Sequence, residues 1–136
     1  MPKTYNYMFS VASKEDMLHA NALCADGKAF SDNSRMPNAL KWQMAREFLA
    51  EGDAEFTLFS PVSYEDIYED DDATKCVAAS YVADLRAQFL EDILDRRPTD
   101  MVAHALYVRN KQWQAKLRER ANLNNLQSVF KSMRLT

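Results

Sequence analysis

The stretch ATKCVAASYVADLRAQFLEDILDRRPTDMVAHALYVRNKQWQAKLRER, residues 73–120 of 136, decides the fold. In its first half Ala78, Tyr81, Val82, Leu85, Phe89 and Ile93 recur at the steps that place side chains on one helix face, which predicts a helix over 73–95. Acidic residues precede it and Arg96-Arg97 follow it, both favourable to the helix dipole. Pro98 disfavours the helical conformation of the residue before it and ends the run. Thr99-Asp100 then caps a second helix over 99–121, with Val102, Leu106, Trp113 and Leu117 as its expected core row. Two long helices joined by so short a link form an antiparallel hairpin.

Working outward, residues 63–66 (Ser63-Tyr64-Glu65-Asp66) look like another cap. Tyr64, Ile67 and Tyr68 at i, i+3 and i+4 give a short helix that ends in Glu69-Asp70-Asp71-Asp72. Pro37 suits a first helical position, and Leu40, Met44, Ala45, Phe48 and Leu49 continue that helix until Gly52. Ser13-Lys14-Glu15-Asp16 starts a helix that carries Met17, Leu18, Leu23 and Cys24 inward and stops at Asp26-Gly27, and Lys28 to Arg35 reads as a loop. Leu123, Leu126, Phe130 and Met133 support a terminal helix, whose apolar stripe fits either the core or a homodimer seam.

Two segments read as strands. Tyr5, Tyr7, Phe9 and Val11 alternate with Asn6, Met8 and Ser10 over residues 4–12. The aromatic and β-branched run 55–60 is their expected partner, closed by Pro61. The expected fold is therefore α+β and mainly helical: a small two-stranded sheet with about five or six helices, including the long antiparallel hairpin, in one compact domain over 1–136.

Composition excludes several kinds of chemistry. Gly27 and Gly52 are the only glycines, whereas a dinucleotide loop, a Walker A loop or a nucleophile elbow each needs two or more in close spacing. No run approaches the roughly 18 to 20 apolar residues of a membrane span, and the N-terminus lacks the basic start and apolar run of a signal peptide. A cytoplasmic protein is expected, with Cys24 and Cys76 as reduced, buried thiols.

Asp16 with His19 and Asp100 with His104 share helix faces, as metal ligands do in helical bundles, but the paired glutamates of such sites are not identifiable. Cap or surface histidines are the simpler reading, and no metal or cofactor is expected. Asp53 and Glu55 lack the lysine of a metal-dependent nuclease, position 57 being Thr57. A small hydrolase assembled only in three dimensions is the third-ranked reading.

Charge carries the functional reading. Between Glu47 and Asp72 there are ten acids and no lysine or arginine, while residues 96–136 hold nine bases against two acids. One reading makes these segments neutralise each other, the row Asp84, Gln88, Glu91 and Asp95 facing the basic helix after it. The other makes each a surface. Tyr64, Glu65, Asp66, Tyr68, Glu69, Asp70, Asp71 and Asp72 form an acidic, tyrosine-bearing face suited to a protein partner with a basic surface. The expected function is thus a non-enzymatic protein-binding module: a small acidic inhibitor of the anti-defence or immunity type, from a virus or mobile element, that mimics nucleic acid at a basic partner site. The alternative is a nucleic-acid-binding or packaging accessory using Arg109, Lys111, Lys116, Arg118 and Arg120.

Overall fold

Every residue from position 76 to 85 is buried, so the helix that carries them has no solvent face over nearly three turns. The small side chains Ala78, Ala79, Ser80 and Ala83 make this possible, because they let neighbouring helices approach from all sides. Around this central element the computed structural model describes residues 37–50, 55–70 and 72–121, and positions 14, 15 and 18. The three continuous stretches hold α1 (Asn38–Leu49), α2 (Tyr64–Asp70), α3 (Ala73–Arg96) and α4 (Met101–Arg120).

The hairpin forms as its caps dictate. Asp72 Oδ1 accepts from Lys75 N at 3.2 Å and opens α3. Asp100 Oδ1 accepts from Ala103 N at 3.0 Å and opens α4. Between them Arg97 N returns to Ile93 O at 2.7 Å, and Pro98 follows. The helices are antiparallel: Asp84 meets Gln114, while Leu90 and Ile93 lie across from Ala103. One cluster of buried side chains joins Leu40 and Met44 of α1, Tyr64 of α2, Val77 and Tyr81 of α3 and Leu117 of α4. A second joins Trp42, Leu58, Val82 and Leu85, with the Trp42 and Phe56 rings 5.3 Å apart.

Two expectations are overturned. The α+β class, with a two-stranded sheet and five or six helices, gives way to four helices and no strand among the described residues. Residues 55–60 form no strand and close a turn at 57–60, because hydroxyl groups bind the backbone locally: Thr57 N donates to Ser60 Oγ at 2.8 Å, Phe59 N to Thr57 Oγ1 at 3.2 Å, and Ser60 N to Thr57 O at 3.1 Å. Arg86 of α3 takes the free carbonyls, its Nε donating to Leu58 O at 2.7 Å and a second nitrogen to Ser60 O. The other proposed strand, 4–12, and the terminal helix after 122 lie outside the described residues. Lys14, Glu15 and Leu18 are helical, where the first cap places a helix, but Leu18, expected inward, is exposed.

The core row of α4 also differs. Val102 is 70% exposed and Leu106 44%; the inward face is Ala103, Asn110, Gln114 and Leu117. The amides go inward because their partners are there. Asn110 Oδ1 accepts from the Tyr64 hydroxyl at 2.9 Å, and Gln114 Nε2 donates to Asp84 Oδ1 at 3.2 Å. Asp84 Oδ2 holds the Lys41 ammonium at 2.6 Å and accepts from Gln88 Nε2 at 3.0 Å. Lys41 is only 1% exposed, and its burial pulls the ammonium below the usual lysine range, opposed by Asp84. Asn38 and Gln88 exchange amide bonds at 3.0 and 3.2 Å and extend the network to the start of α1.

Lys41→Met leaves the Asp84 carboxylate buried without its cation, and urea unfolding is expected to show a loss of about 3–5 kcal/mol. The double variant Lys41→Met with Asp84→Leu buries no charge and regains a large part of that loss. A single variant as stable as the parent would mean that this pair does not hold α1 on α3.

Candidate functional site

The acidic helix keeps its carboxylates outside but turns its tyrosines in. Tyr64 opens α2 and is 5% exposed. Its hydroxyl donates to Asn110 and accepts from an Arg86 guanidinium nitrogen at 3.2 Å. Burial raises its pKa, with Arg86 opposing the rise. Tyr68 is half-buried, edge-on to Trp113 at 6.1 Å, with the Arg120 guanidinium 5.0 Å from its ring centre. Glu65, Asp66, Glu69, Asp70 and Asp72 are exposed, and Asp71 lies outside the described residues. Glu65 pairs with Arg109 at 3.1 Å, and Asp72 is taken up in capping α3. Among the described residues the remaining acidic face is therefore Asp66, Glu69 and Asp70, without the aromatic anchors that the sequence suggests.

The basic helix compensates α2 more than α3. Besides the Arg109 pair, Arg120 Nε donates to Tyr68 O at 3.1 Å, and the Lys116 ammonium sits 5.0 Å from the Trp113 ring centre. Lys111 is exposed and Arg118 half-buried. Asp84, expected on an edge facing these bases, instead points inward to Lys41. Cys76 is buried, its thiol donating to Ile67 O at 3.6 Å. His104 is exposed on α4; His19 and Cys24 lie outside the described residues. Among the described residues no group of three or more His, Cys, Asp or Glu is placed to hold a metal ion, and no helix is long and apolar enough to cross a membrane.

The prominent concavity lies elsewhere, at the turn end of the hairpin. A groove of about 1060 Å³ runs between the second half of α3 and the first half of α4, with the 58–63 turn as its third wall. Leu58, Phe89, Leu90, Ile93, Val102 and Leu106 give it an apolar lining. Phe59 stands at its rim, 72% exposed, held edge-on against Phe89 at 5.2 Å. Arg86, Arg96 and Arg97 contribute three guanidinium groups to the lining, against the single carboxylate of Asp100. The chain matches no protein-family model, and no curated protein or solved structure is similar to it.

The sequence pattern puts Phe59 in a strand, Val102 and Leu106 in the core, and Arg96-Arg97 at a helix end. A usable signal was present: Asn110 and Gln114 stand at i, i+4, the spacing of a polar inward face when partners await it.

Tyr64 has a calculable pH signature. Its raised pKa means that above pH about 10 the unfolded chain has lost a proton that the folded chain still holds. The stabilisation is present below that pH and is lost as pH rises through the folded value. Tyr64→Phe should therefore lose stability less steeply than the parent above pH about 10, and be less stable at neutrality by about 1–3 kcal/mol because Asn110 loses its donor. Urea midpoints at both pH values test this; identical alkaline slopes would mean that Tyr64 titrates like an exposed phenol.

Proposed function

We propose that the chain is a non-enzymatic protein-binding module that grips its partner in the α3–α4 groove. The observation that carries this reading is the exposure of Phe59, Val102 and Leu106 along one apolar concavity built on two long helices. Contiguous exposed apolar surface of this kind marks interaction sites, and an aromatic side chain on a rigid support is the usual anchor. The acidic face of α2 has a lesser part in this account. Asp66, Glu69 and Asp70 attract a partner with a basic surface and speed the encounter, an effect on association rate more than on affinity. Blocking such a partner is how the module would act as an inhibitor.

The groove is favoured over the basic helix because Arg109, Lys116 and Arg120 are already engaged with Glu65, Trp113 and Tyr68. A nucleic-acid ligand would show itself by a steep loss of binding as salt rises.

Phe59→Asp and Val102→Asp alter exposed side chains and should leave circular dichroism unchanged while abolishing capture of the partner protein from nuclease-treated lysate. Neutralising Asp66, Glu69 and Asp70 should slow association and flatten its salt dependence with the complex still formed. The opposite pattern, capture lost with the acids and kept with the aspartate variants, would move the contact to α2. Capture that vanishes with nuclease would move it to α4.

A further inference from the structure

The groove also has a polarity. Its lining holds Arg86, Arg96 and Arg97 against Asp100, and Asp100 is already bonded to the first turn of α4. Arg86 is half-buried, and its guanidinium donates to three neutral oxygens, those of Leu58, Ser60 and Tyr64. Arg96 reaches Asp92 at 4.0 Å while 61% exposed, and the Arg97 side chain makes no polar contact among the described residues. Positive charge at the end of α3 complements the helix dipole, which explains a basic pair there but not its place on a groove wall.

Length and shape narrow the occupant. Arg86 and Arg96 are ten residues apart on α3, which sets the groove at about 15 Å, three turns of helix. With Phe59 and Val102 more than two-thirds exposed, the groove does not enclose a small molecule, whose site buries most of its surface. Among the described residues there is no strand edge for an extended peptide to join. An amphipathic helix laid along the groove fits both constraints.

We infer that the partner element is an amphipathic helix of about three turns that carries carboxylates at the end meeting Arg96 and Arg97. The inference rests on the groove being the binding face. Two fluorescein-labelled synthetic helices with the same leucine stripe, one flanked by glutamates and one by lysines, test it on the full chain by fluorescence anisotropy. The glutamate peptide should bind about thirtyfold tighter, what two exposed ion pairs at the top of their usual range supply. Arg96→Gln with Arg97→Gln should bring the two affinities together, and Val102→Asp should remove both. Equal or tighter binding of the lysine peptide overturns the acidic assignment and leaves the groove standing. Glutamate-peptide binding that survives Val102→Asp, or no binding of either peptide, overturns the groove itself. A chain that elutes as a dimer and becomes monomeric on Val102→Asp gives the groove to a second copy, and the inference fails.

Discussion

Asp84 is where three helices meet. It sits in the stretch of α3 that is buried on every side, and its carboxylate takes the Lys41 ammonium from α1 and an amide from Gln114 of α4. A charge in that position is tolerable only with its counter-ion and further donors, and here both oxygens are satisfied. The network therefore does more to specify which faces meet than to add net stability. α1 must turn a lysine inward, and α4 must turn an amide inward at the same level.

That requirement shapes the outer surface. A helix has one inward stripe, and on α4 it carries Ala103, Asn110, Gln114 and Leu117. Val102 and Leu106 are thereby left on the adjoining face, where no described element covers them. On the α3 side the same register brings Phe89, Leu90 and Ile93 opposite, and Arg86 pins the 58–63 turn across the end. The groove thus accompanies a polar core contact: Asn110 and Gln114 face inward to their partners while Val102 and Leu106 stay exposed beside them. Two of its walls belong to long capped helices and the third to the turn that Arg86 holds.

Much of the helical frame was legible in the sequence, and little of the site. The hairpin could be read because Asp72, Pro98 and Asp100 act locally, through caps and a proline, whatever the rest of the chain does. The short helix at Tyr64 followed from the same kind of signal. Residues 55–60 misled because strand propensity reports a fit to a pleated surface, whereas Thr57 and Ser60 closed a turn on their own backbone. The core row of α4 misled because hydrophobic spacing allows more than one stripe, and only the long-range partners Asp84 and Tyr64 choose between them. The tyrosines of α2 were read as outward anchors for a related reason: adjacent carboxylates say that a helix is wet on one side but not which way its aromatics turn.

The proposed binding function turns on which surface a partner touches. The direct measurement is photo-crosslinking in cells, with a photoreactive phenylalanine analogue placed in turn at Val102, at Glu69 of the acidic helix and at Lys111 of the basic one. Crosslinks to a single protein from position 102, with little from 69 and none from 111, are the predicted result. Strong crosslinks from 69 or 111 with none from 102 would contradict it.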